Sequence, residues 1–102
     1  MPFPEIDRTV SQTSTGTTAR IVGVNVREWT VYADTPAGST ATFILQTARD
    51  ENSTTPAIPF GTSQNLGASS GVCLQFTGPA VIFARVTDSS AAHVVNFRFV
   101  GN

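Results

Sequence analysis

The chain has no lysine, one cysteine and one histidine, and only 13% of its 102 residues are charged. A lone thiol, Cys73, excludes an internal disulfide framework and any site built on several cysteines. It is expected on a strand face as a small, partly buried side chain. A lone imidazole, His93, leaves a nucleophile without an obvious base, and a zinc ion without its three or four ligands. A formal net charge of -1 gives no basic footprint for nucleic acid, which is excluded as a partner. No run approaches the length of a membrane-spanning helix, and the first residues lack the basic-then-apolar order of a secretion signal. Synthesis in a cytoplasm and no membrane partner are expected. Helical periodicity is missing too, because apolar residues never recur at three and four over a dozen positions.

What is there is alternation. Val72, Leu74 and Phe76 alternate with Cys73, Gln75 and Thr77; Ala80, Ile82, Ala84 and Val86 follow the Gly78-Pro79 break; Val95, Phe97 and Phe99 alternate with Asn96 and Arg98. Period two is the signature of half-buried antiparallel strands. Upstream, Val22, Val24 and Val26 and then Trp29, Val31 and Ala33 make two strands, or one long strand bent near Arg27. Thr35-Pro36-Ala37-Gly38 reads as a turn, since proline presets the first central dihedral and glycine accepts positive φ. A strand from Thr40 to Ala48 follows, with Ala41, Phe43, Leu45 and Thr47 on one face.

Two stretches break the grammar. Residues 1–18 open with Pro2 and Pro4 and end in a polar run, which predicts an extended N-terminal arm ahead of a domain spanning residues 19–102. Residues 49–70 read as the longest loop, with a short edge strand from Gln64 to Leu66. Asp50, Glu51 and Phe60 are candidate contact residues there, because long loops in compact domains often carry function; the alternative is variable padding. About seven or eight short strands predict an all-β fold, an antiparallel β-sandwich of jelly-roll or immunoglobulin-like type, with a barrel as the nearest competitor.

Chemistry is sparse. His93 shares parity with Val95, Phe97 and Phe99, which places it at the end of an apolar face as a structural or surface residue. The acidic residues are scattered at turns and strand ends, so neither a calcium loop nor a carboxylate pair is marked. Asn52-Ser53-Thr54 fits the glycosylation sequon, a chance match in a chain made in a cytoplasm. No cofactor, metal or catalytic residue is expected, and the chain reads as no enzyme. Trp29 and Tyr32 lie three apart and so face opposite sides of one strand, Trp29 inward and Tyr32 outward. All six basic residues are arginines, which suits forked contacts at protein interfaces, or reflects the codon bias of a GC-rich genome.

The feature that points outward is apolar material on both faces of the last strands. Val81 and Phe83 oppose Ile82 and Ala84, and Val94 and Val100 oppose Val95, Phe97 and Phe99. If the arm or loops cover the second face, this is ordinary folding; if not, it is a patch for another subunit. With Pro2, Phe3, Pro4 and Ile6 of the arm, Val81, Phe83 and Val94 form the expected partner-binding set.

The C-terminal segments Val72-Cys73-Leu74-Gln75-Phe76-Thr77-Gly78-Pro79, Ile82-Phe83-Ala84-Arg85-Val86-Thr87 and Val95-Asn96-Phe97-Arg98-Phe99-Val100-Gly101 carry a resemblance. In pattern, over roughly residues 39–101, the chain resembles small β-sandwich virion proteins of tailed bacteriophages. The resemblance implies a capsid decoration (cement) protein, located in the virion after assembly in the host cytoplasm. It implies binding to the major capsid protein or another virion protein, and a homo-oligomer, by analogy a trimer. The alternative is a carbohydrate- or receptor-binding module of a tail or head fibre.

Overall fold

Alternation along the sequence becomes a sandwich in the computed structural model, which describes residues 5–13, 15–18, 20–23, 25–36, 39–50, 52, 58–67, 71–89 and 94–102. Nine strands are described: β1 (Ile6–Gln12), β2 (Gly16–Thr17), β3 (Ile21–Val22), β4 (Glu28–Asp34), β5 (Ala41–Thr47), β6 (Ile58–Leu66), β7 (Gly71–Thr77), β8 (Val81–Ser89) and β9 (Val95–Gly101). One sheet has four strands in the order β1-β9-β4-β7. The other has five, ordered β2-β8-β5-β6, with β3 pairing β8 beside that path. Every pairing is antiparallel. The all-β antiparallel sandwich is therefore as expected, with one or two more strands than the sequence announced.

The core lies between the sheets and is built from one parity of each strand. Trp29, Val31 and Ala33 of β4, Phe43 and Leu45 of β5, Ile82, Ala84 and Val86 of β8, and Val95, Phe97 and Phe99 of β9 are all buried. Phe97 meets Phe43 edge-on across the sheets, at 5.1 Å between ring centroids, and stacks on Phe99 at 6.0 Å. Trp29 needs a polar exit for its indole N–H, and Nε1 donates to the Pro79 carbonyl at 2.9 Å. The Gly78-Pro79 break thus also satisfies the largest core side chain.

Two expectations about organisation are corrected. Residues 6–12, assigned to the arm, form β1, which pairs β9 over its whole length from Ile6↔Gly101 to Gln12↔Val95. Alternation was hidden there because β1 is an edge strand with one half-buried face. Gly16 and Thr17 then cross to the other sheet and pair Val86 and Arg85. Thr18 continues that contact: its N–H donates to the Ala84 carbonyl at 2.8 Å, and Ala84 N–H donates to Thr18 Oγ1 at 2.9 Å.

The second correction concerns residues 49–70. Ile58–Leu66 is a nine-residue edge strand, not a loop with a short strand at its end. It pairs β5 in two registers, Phe43↔Gln64 and Leu45↔Phe60, so three residues of β6 stand opposite Ile44 alone. Gly61 takes φ +74° at this bulge, a conformation open to glycine. Pro59 and the bulge erase the local alternation that marks the other strands.

Candidate functional site on the four-stranded sheet

The outward parity of the four-stranded sheet makes a continuous solvent face. Register places Thr9, Arg98, Tyr32 and Cys73 in one row across β1, β9, β4 and β7. Ser11, Asn96, Asp34 and Gly71 form the next row, and Asp7, Val100, Thr30 and Gln75 the row on the other side. Non-adjacent segments of sequence are thereby brought onto one surface.

That surface is internally bonded. Arg98 reaches diagonally across to β1, where Nε donates to Asp7 Oδ1 at 2.9 Å and Nη2 to Oδ2 at 2.8 Å. This is the forked geometry for which arginine is suited and lysine is not. The guanidinium carbon also lies 5.8 Å from the Tyr32 ring centroid, within cation–π range. One turn of register away, Ser11 Oγ donates to Asn96 Oδ1 at 2.9 Å, and Asn96 Nδ2 donates to Asp34 Oδ1 at 3.1 Å. Tyr32 is 44% exposed among these groups, one of two large hydrophobic side chains so placed among the described residues; Ile58 on β6 is the other.

Electrostatics follow from the fork. The hydrogen bond from Arg98 holds the Asp7 carboxyl below its ordinary 3.8, partial desolvation opposes this, and the guanidinium charge adds to the lowering. In return the hydrogen bond and charge of Asp7 raise Arg98 further. Both groups stay ionised through the neutral range. At the far end of the face a shallow hollow of about 260 Å³ is lined by Glu28, Thr30, Gln75 and Thr77, with Trp29 and Phe76 beneath.

The described residues among those expected from sequence to meet a partner are not gathered in one place. Val81 and Phe83 are 1% and 2% exposed; they pack with Ala48 and Val22 in a second small cluster, on the opposite side of β8 from the main core. Their apolar parity is consumed by the protein itself, so they offer no docking patch. Ile6 is half-buried and rests on the main core, and Val94 is half-buried with its carbonyl accepting from Thr35 Oγ1 at 3.1 Å. Phe60 packs against the same core and meets Phe76 edge-on at 5.0 Å. Asp50 is exposed and caps a local turn by accepting from Asn52 N–H at 2.9 Å. Pro2, Phe3, Pro4, Glu51 and His93 lie outside the described residues, as do Ser53 and Thr54 of the sequon.

Trp29 is inward and Tyr32 outward, as their spacing requires. Cys73 is exposed, a correction to its partly buried reading, because it shares the outward row with Tyr32. Among the described residues, no group of three or more His, Cys, Asp or Glu side chains is placed to hold a metal ion. No helix of the described residues is long and apolar enough to cross a membrane. Asp7, Ser11, Asp34, Asn96 and Arg98 were not singled out by sequence reasoning. The available signals were the alternation that turns Asn96 and Arg98 outward and the exclusive use of arginine, whose fork suits such contacts.

No family model matches the chain, and no curated protein matches it. Among solved structures the chain is similar to a Yersinia pseudotuberculosis-derived mitogen, with a TM-score of 0.51 and 14% identity, over 98% of this chain and 88% of that one. At that identity the likeness speaks for the β-rich fold alone.

Proposed function

We propose that the chain is a docking module of a larger assembly, and that the solvent face around Tyr32 and Arg98 is where another protein seats. The observation that carries this reading is the Asp7–Arg98–Tyr32 arrangement beside the Ser11–Asn96–Asp34 chain. Exposed ion pairs add little to folding, so an ordered network on a solvent face has its main effect on what touches that face. Side chains already held in one geometry lose less freedom on association, and Tyr and Arg are the residue types that dominate interface hot spots. The resemblance to tailed-phage virion proteins makes a capsid shell the first partner to test, with the chain acting as a decoration protein. Removing Tyr32 and Arg98 should abolish shell binding and the rise in shell melting temperature, while Val81 and Phe83 contribute only through the fold.

A second reading, carbohydrate binding, has its own support in Tyr32, an exposed ring flanked by the Asp34, Asn96 and Arg98 polar groups. A glycan array read with the wild type and Tyr32→Ala separates the two: array signal lost on substitution, without shell affinity, selects the glycan. The mitogen named among similar structures lends its fold to the comparison and not its activity.

A further inference from the structure

Each sheet ends in strands whose outer main-chain groups need protection from stray pairing. β1 carries Asp7 and Arg8 on its edge, β6 carries Pro59 and the Gly61 bulge, and β2 and β3 are two residues each. β7 has none of these devices. Its sequence Gly71-Val72-Cys73-Leu74-Gln75-Phe76-Thr77 holds no charge and no proline, and its register with β4 is unbroken over seven residues. Among the described strands, only β4 pairs with it.

The hydrogen-bond phase fixes which groups are free. Glu28 and Asn102 exchange both main-chain bonds, at 3.1 and 2.9 Å, so Glu28 faces β9; Gly78 N–H donates to the Arg27 carbonyl at 3.2 Å, on the β7 side. Antiparallel alternation then turns Val72, Leu74 and Phe76 toward β4, and the N–H and C=O groups of Gly71, Cys73, Gln75 and Thr77 toward the free edge. Beside that edge, an apolar cleft of about 290 Å³ opens between the sheets, with Leu45, Phe60, Leu74 and Phe76 among its walls.

We propose that β7 is a self-pairing edge, through which two copies of the chain join into a continuous eight-stranded sheet. Self-complementarity selects a second copy as the occupant. An antiparallel two-fold pairing that uses the whole strand puts Leu74 on the axis, Val72 opposite Phe76, Gly71 opposite Thr77, and Cys73 opposite Gln75. All four free residues of each copy then bond, for about eight main-chain hydrogen bonds. The inward side chains of the partner strand extend the apolar layer that lines the cleft, and no like charges oppose one another on the strand. The inference does not depend on what the Tyr32 face binds; it would set two such faces side by side in one surface.

Charge substitution at the paired positions tests both the edge and its register. By sedimentation of the full chain over about 1–200 µM, the wild type should show a concentration-dependent dimer. A chain with Cys73→Lys and Gln75→Lys opposes like charges twice and should dimerise at least tenfold more weakly, whereas Cys73→Lys with Gln75→Glu should restore the dimer. Amide exchange on the wild type supplies a measure that needs no variant: protection of Cys73, Gln75 and Thr77 should rise with concentration. A wild type that stays monomeric throughout, as it would if the edge served an unrelated extended peptide, overturns the proposal. So does a dimer indifferent to the like-charge pair, or amide protection that does not change with concentration.

Discussion

Arg98 on β9 grips Asp7 on β1 through both carboxylate oxygens, at 2.9 and 2.8 Å, although 91 positions separate them in the chain. The fork ties the edge strand to its neighbour on the solvent face and fixes the guanidinium beside Tyr32. Its partners are half-exposed, with side-chain exposures of 53% and 43%, so its consequence is the shape of the face more than the stability of the fold.

Arg98→Lys should therefore fold like the wild type, with a melting temperature within about 3 °C, yet weaken partner binding. Lysine keeps the charge but not the two parallel bonds or the planar contact with the ring. Calorimetric melts paired with a binding titration check this; loss of folding without a specific effect on binding would assign the fork to stability instead.

The pH dependence has a definite sign. Asp7 is held below its ordinary 3.8 in the folded chain, so its contribution is fully present above the unfolded value and is lost as pH falls through the folded one. Binding should be flat with respect to Asp7 across the neutral range and decline only below the usual carboxylate range. Asp7→Asn should remove that acid limb, which a titration by NMR of the carboxyl carbon and a binding curve at low pH would register together.

Phe83 tests the correction to the expected docking patch. As a fully buried side chain, its truncation in Phe83→Ala should destabilise by about 3–5 kcal/mol in denaturant unfolding. A surface contact residue would instead leave stability nearly unchanged.

Gly101 sits where a side chain has no room: an added Cβ would stand 2.8 Å from Val26 Cγ2, 2.9 Å from Val26 Cγ1 and 3.3 Å from Trp29. Gly101→Ala should cost about 1–3 kcal/mol through overpacking, and Val26→Ala in the same chain should recover part of the overpacking loss. A double-mutant cycle on chemical denaturation measures that coupling.

Strands with one strongly apolar parity were readable from residues alone: Trp29 to Ala33, Ala41 to Leu45 and Val95 to Phe99 all bury the expected side. β1 and β6 were not, because edge strands bury little and Pro59, Gly61 and the run of polar residues at Thr9, Ser11 and Gln12 mask their period. The second apolar parity of β8 was visible, but not its meaning. Whether Val81 and Phe83 face solvent depends on Val22 and Ala48, which come from elsewhere in the chain. The candidate face failed to declare itself for a similar reason. Asp7, Arg98 and Tyr32 become neighbours only through the strand order β1-β9-β4, which no local pattern contains.

Co-sedimentation with capsid shells, the partner proposed first, tests the docking face most directly. The wild type should pellet with shells, and a folded chain carrying Tyr32→Ala and Arg98→Ala should stay in the supernatant. Equal pelleting of the two, or no pelleting of the wild type at any concentration, would contradict the account.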